Sequence, residues 1–241
     1  MPIKPPDKEM GFLEHLEELR RRILRALAAV VVFAIGAYFV SEWLVNVVTA
    51  PLHDVGVYFK APAEAFMTRV KISIFAGAVA AVPVLFYQIW MFIGPGLYKK
   101  ETRVVIPIVI SSTIFFLIGG SFCFFYVIPM AMKFLLAFST ENMKPMIMIG
   151  EYISFVGMFV LAFGLVFELP VASFILGRMG IIDARLLSRG RRFAVVAILI
   201  LAAVLTPGPD VVSQLLLACP LYFLYEVSIL VVRITGRKDR R

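Results

Sequence analysis

Only two cysteines and two histidines occur in 241 residues, and charged side chains make up just 17% of the chain. Cys123 and Cys219 lie in separate apolar runs, where a free thiol behaves as a small hydrophobe. They supply neither a disulfide framework nor a zinc spacing, so no metal site is expected. His15 and His53 fall on opposite sides of the first apolar run, which argues against a histidine-based catalytic pair. No GxxxxGK[ST] string is present to cradle phosphates, and no cofactor is expected. The apolar runs carry single glutamates widely separated in sequence, not converging catalytic groups, so the chain does not read as an enzyme.

Apolar residues are what the chain has in excess, at 61% of positions, with a mean hydropathy of +0.93. Soluble globular chains hold about 45–50%, and a soluble fold of this length has too little interior to hide the surplus. The composition is that of an integral membrane protein. A net charge of +8 does not point to nucleic acid, because the basic residues are segregated between apolar runs, a pattern that membrane topology explains. The N-terminal "MPIKPPDKEMGFLEHLEELRRR" is too charged and proline-rich for a cleaved signal peptide, so the first run is expected to stay in the mature chain.

A bilayer core of about 30 Å needs about 20 apolar residues per helix. Six runs answer to that description: 23–45, 70–92, 104–125 with an extension to 138, 152–176, 193–205 and 212–232. Their apolar residues are continuous, whereas barrel strands alternate, so the expected fold is all-α. Nineteen of the 24 basic residues fall before or just inside the start of the first run, after the second, after the fourth and after the sixth, which places both termini in the cytoplasm. The expected organisation is a single membrane domain over 1–241, with an amphipathic cytoplasmic segment at 1–22, a six-helix bundle at 23–232 and a basic tail at 233–241.

The fifth run has only 13 residues before "TPGPD" breaks it, so helices five and six read as a short hairpin that stops below the outer surface. The first and third outer loops are long, and Pro51, Pro62, Pro129 and Pro145 stiffen or kink their approaches; these loops are positioned to cap the outer face. No internal repeat of the kind found in many secondary transporters is visible, which weighs against a small-solute transporter using Glu168 as a proton relay.

The polar exceptions are few. "GFLEHLEELRRRIL" starts an amphipathic helix in which Glu17–Arg21 and Glu18–Arg22 are i,i+4 pairs with the acid first, each contributing about 0.2–0.5 kcal/mol. Glu14 and Glu17 read as surface acids that balance the arginines, and Glu18 is less easily assigned that role. Glu101, nine residues past Phe92, suits two roles equally: completing the dipole of the third helix, or bidentate capture of a guanidinium. Inside the spans, Glu168 and Glu226 each cost at least about 2.5–3.5 kcal/mol unless sheltered, and are functional candidates on that ground. Thr206 and Gln214, near the outer end of the five-six hairpin, offer polar contacts to Glu168 or to a partner helix.

Five strings now fall in order along the six-span frame: "HLEELRRR" before the first span, "APL" at Ala50–Leu52, "FIGPGLYKKE" after the second, "FELP" in the fourth and "TPGPDVVSQ" between the last two. Together they resemble the TatC family, the receptor subunit of the twin-arginine protein translocase, over nearly the whole chain from Phe12 to Arg233. The resemblance implies a glove-like concave bundle in the bacterial inner membrane. It implies recognition of folded precursors through twin-arginine signal peptides and assembly with the single-span proteins TatB and TatA, with other TatC copies and with membrane lipid, driven by the proton-motive force. By the same resemblance, Glu18 and Glu101 match the acids that contact the arginine pair, with Phe92 and Arg20 beside them. Glu168 matches the intramembrane acid of the concave face, Thr206 and Gln214 match polar positions for TatA or TatB helices, and Pro51 belongs to the outer cap. The chain departs from the family at the five-six turn, where "TPGPD" carries one residue more than the frequent Thr-Pro-Pro-Asp.

Overall fold

The computed structural model describes residues 12–52, 55–97, 105–140, 144–205 and 211–235, and these are almost entirely helical. Glu101 and Thr206 lie outside them. Helix α1 (Phe12–Phe39) continues past Val40 into α2 (Ser41–Thr49) and a short 3-10 turn at Ala50–Leu52 that carries Pro51. Helices α3 (Pro62–Ala80) and α4 (Val82–Leu97) follow. Then come α5 (Val105–Phe122), a π-helical turn at Cys123–Val127 and α6 (Ile128–Leu136). Two further pairs complete the chain: α7 (Ile149–Phe167) with α8 (Leu169–Arg178), and α9 (Ala184–Leu205) with α10 (Val211–Thr235).

Among the described residues, four units are long and apolar enough to cross a membrane, namely 13–39, 105–136, 149–178 and 217–235, and the bent pair α3–α4 makes a fifth. Helix α9 has the length, but every 18-residue window in it includes Arg189, Arg191 and Arg192. Its uncharged part is the 13-residue run noted above. The helix nevertheless starts nine residues before that run, because Asp183 accepts from the Leu186 N–H and caps it.

Three of the long units change helix near a proline, which removes a backbone donor. The expected second span is broken by 51° between α3 and α4, with Pro83 in the first turn of α4. Pro129 follows the π-helical turn, whose wider winding absorbs the missing bond. Pro170 sits just after Glu168, the joint between α7 and α8.

Helix α7 is the centre of the bundle, packing on α3 along one side and on α5 along another. Its buried Tyr152, Val156, Phe159 and Phe163 anchor the main core with Cys123, Ile128 and Leu221. Gly157 lets α3 close in, since a Cβ there would meet the Phe75 ring at 2.3 Å. Helix α1 stands at the edge and turns Ile23, Leu24, Leu27, Val31 and Val32 outward, as a lipid-facing helix does.

One end of the bundle is closed by loops. Residues 55–61 and 144–149 meet in a parallel bridge in which the Tyr58 N–H donates to the Ile147 carbonyl and the Ile149 N–H to the Tyr58 carbonyl. Leu52, only 2% exposed, plugs the space beneath, and the Tyr152 hydroxyl donates to the Val48 carbonyl. Ion pairs Lys60–Glu151 and Arg69–Glu42 lie over this capped end. The hydrogen bond and charge of Glu151 hold the Lys60 ammonium above its ordinary pKa.

Candidate functional site

At the end opposite the cap, α1 and α4 bring an acid and an aromatic to one surface. The half-buried residues of α1 are Glu18, Leu19, Arg22, Ala26, Ala29, Val30, Ala34 and Ala37, a stripe with helical spacing that faces α3 and α4. Glu18 therefore lies on the inward face. Its partner is Arg22, one turn on, whose Nε donates to Glu18 Oε1 at 2.9 Å and whose Nη2 donates to the same oxygen. The Glu18 side chain is 23% exposed and that of Arg22 13%.

Phe92, in the last described turns of α4, stacks on the His15 ring with centroids 4.4 Å apart and planes 16° from parallel. His15 precedes Glu18 by three residues on the same face, so Glu18 and Phe92 are brought together through it. Arg20 is exposed, about 200° around the helix from Glu18, and does not converge on this surface. Beside the stack, Glu14, Glu17, Glu18, Arg21, Arg22 and Arg25 line an open cleft of about 490 Å³. Arg22 is legible in the sequence as the i,i+4 partner of Glu18, whereas His15 is the residue that counting charges does not single out. The i,i+3 and i,i+4 spacing to Glu18 is the signal that finds them.

The intramembrane acids fare differently. Glu168 forms the joint between α7 and α8 and lies against Ser112 and the Phe116 backbone of α5. Its Oε1 is enclosed and meets no hydrogen-bond partner among the described residues, as does the Ser112 hydroxyl. Glu226 is fully engaged. Arg191 reaches it with two nitrogens, Nε to Oε1 at 2.8 Å and Nη2 to Oε2 at 2.8 Å, and the Tyr222 hydroxyl donates to Oε1. That fork is possible because α9 begins early enough to place Arg191 beside α10, and it gives Glu226 the role of a clasp. Tyr225 strengthens the same join by donating to the Leu187 carbonyl. Glu226→Gln is therefore expected to lower the melting temperature of the purified protein. Affinity for a ligand at the distant Glu18 surface should stay within about twofold.

Gln214 donates its side-chain N–H to the Leu199 carbonyl at 2.9 Å, tying α10 to α9. Among the described residues no group of three or more His, Cys, Asp or Glu side chains gathers as a metal site.

The family model described as "Sec-independent protein translocase protein (TatC)" matches residues 14–220. A Sec-independent protein translocase protein TatC of Desulforapulum autotrophicum is 42% identical over 237 residues, covering 96% of this chain and 87% of that one. The protein of the same name from Carboxydothermus hydrogenoformans is 43% identical, covering 97% of both. A crystal structure of a twin-arginine translocase receptor TatC superposes with a TM-score of 0.85 at 35% identity, covering 93% of this chain and all of the other.

Proposed function

The chain belongs to the TatC family, a component of the twin-arginine translocase and a transport protein rather than an enzyme, and on that premise we propose that it is the receptor for twin-arginine signal peptides. The observation that carries this reading is the half-buried Glu18 carboxylate, fixed by Arg22 beside the His15–Phe92 stack. Both Arg22 contacts end on Oε1, leaving Oε2 open to an incoming guanidinium. Glu101 supplies the second carboxylate on this reading, one acid for each arginine of the signal. Phe92 offers a flat face on which a guanidinium stacks, an interaction lysine makes less well.

The topology that goes with this has six spans: α1, α3–α4, α5–α6, α7–α8, α9 and α10. The arginine-rich ends support a reading in which both termini, and the Glu18 surface, lie on the cytoplasmic side of a bacterial inner membrane. The apolar part of the signal then runs along the concave side towards Glu168, whose unpartnered oxygen would accept a polar group from it or from a partner helix. TatA or TatB helices dock by the five-six hairpin at Thr206 and Gln214. Because the Gln214 N–H is committed to Leu199, the side-chain carbonyl is the group it would offer a partner.

Crosslinking tests the central assignment. A photoreactive twin-arginine peptide is expected to label the purified protein, to lose that labelling with Glu101→Ala, and to lose it when the peptide's arginines become lysines. Equal labelling by the arginine and lysine peptides would reduce the site to a general anionic patch.

A further inference from the structure

Gln88 on α4 carries a side-chain oxygen, Oε1, that is shut off from solvent and meets no hydrogen-bond partner among the described residues. A buried acceptor left empty destabilises the state that holds it, so the group invites a second state in which it is filled.

What Gln88 faces follows from the way α3 and α4 run along α1 and α2. Three contacts fix the register: Arg69 with Glu42, Gly77 against Ala34, and Phe92 on His15. Residue numbers rise on one side as they fall on the other. Gln88 precedes Phe92 by four residues and so shares its side of α4. Counted back from the Phe92–His15 stack it lies opposite Leu19, and counted on from the Gly77–Ala34 contact it lies opposite Ile23. Between those limits α1 half-buries two side chains, Leu19 and Arg22, and of these Arg22 alone is a donor.

Arg22 has the complementary peculiarity. It commits both Nε and Nη2 to one oxygen of Glu18, so a carboxylate able to grip a guanidinium as a two-pronged fork has only Oε2 to offer a newcomer. Full capture requires Arg22 to leave Oε1. With its side chain only 13% exposed, Arg22 then needs another acceptor inside the protein.

We propose that Gln88 is that acceptor: when a signal-peptide arginine reaches Glu18, Arg22 passes to Gln88 Oε1, and both Glu18 oxygens close on the incoming guanidinium. Gln88 is thus a positioning residue that acts through Arg22 without touching the peptide, which rests on the reading of this chain as a twin-arginine receptor. The exchange also favours arginine over lysine, because an ammonium has no planar fork to fill both oxygens.

Fluorescence anisotropy with a labelled twin-arginine peptide, read beside thermal unfolding of the same detergent-solubilised chains, tests the exchange. Gln88→Leu is expected to weaken binding by about tenfold while leaving the melting temperature unchanged or higher, because the empty oxygen is gone. Gln88→Glu keeps an acceptor in place and should restore most of the lost binding. A position that needed only filling would show the reverse order, since a buried carboxylate is harder to accommodate than leucine. Parent-chain affinity in Gln88→Leu would overturn the proposal, as would weaker binding in Gln88→Glu than in Gln88→Leu. A Gln88→Leu chain that lost affinity and melting temperature together, or failed to fold, would overturn it in favour of a structural role. In all of these outcomes binding by the parent chain leaves the receptor reading intact, whereas a parent chain that did not bind the peptide would remove both.

Discussion

Glu18→Gln is expected to weaken binding of a twin-arginine peptide by about thirtyfold or more, the loss that follows truncation of one partner of a hydrogen-bonded charge pair, about 2 kcal/mol upward. Glu17 provides the internal comparison. Both acids pair with an arginine four residues on, yet the Glu17 side chain is 70% exposed and that of Glu18 only 23%. Charge at Glu17 is screened by solvent, so Glu17→Gln should leave affinity nearly unchanged. Neither substitution threatens α1 itself, because an i,i+4 pair contributes only about 0.5 kcal/mol to a helix. Fluorescence anisotropy with a labelled peptide and protein in detergent separates the two variants. Equal affinities for Glu18→Gln and the parent chain would remove Glu18 from the site.

Gly77→Ala is expected to cost about 1–3 kcal/mol of stability, the range for forcing a methyl group into a closed contact. A Cβ at Gly77 would lie 2.5 Å from both Cα and N of Ala34. Those are backbone atoms, so no side-chain rotation relieves the clash and α1 must move away from α3. The contact belongs to a series: Ser73, Gly77 and Ala81 recur every four residues and are all buried, the small-residue spacing by which membrane helices approach closely. Gly36→Ala is the control, since nothing lies within 4 Å of a Cβ there. It should be neutral or stabilising, by up to about 1 kcal/mol from helix propensity. Thermal unfolding in detergent reads both, and equal melting temperatures would show that the α1–α3 contact carries no weight.

Much of this architecture is legible in apolar run lengths, because the bilayer fixes how long a span must be. The third and fourth runs match the units 105–136 and 149–178 closely. What run-counting misses is helix outside the hydrocarbon and bends within it. The start of α9 at Ala184 is hidden because its first turns are charged, and so the Arg191–Glu226 clasp is hidden too. Glu226, singled out in the sequence for its cost in the membrane, finds a partner that only the longer helix supplies. The break near Ala81 has a visible cause in Pro83, but proline alone does not give a direction of bend. At the candidate site, Glu18 and Phe92 are legible through family resemblance, whereas the link between them, His15, is a matter of tertiary contact. Arg20 shows the converse, a residue adjacent in sequence that helical geometry turns away.

The bridge between Tyr58 and Met148 joins segments ninety residues apart. On the six-span topology proposed above, a chain made from its N-terminus places residues 55–61 across the membrane long before residues 144–148 exist. Until α3–α4 has returned and α5–α6 has crossed, the Tyr58 amide and carbonyl have only water to satisfy them. The lid is thus the last piece of the first three crossings to close, and its closure locks the order in which they were threaded.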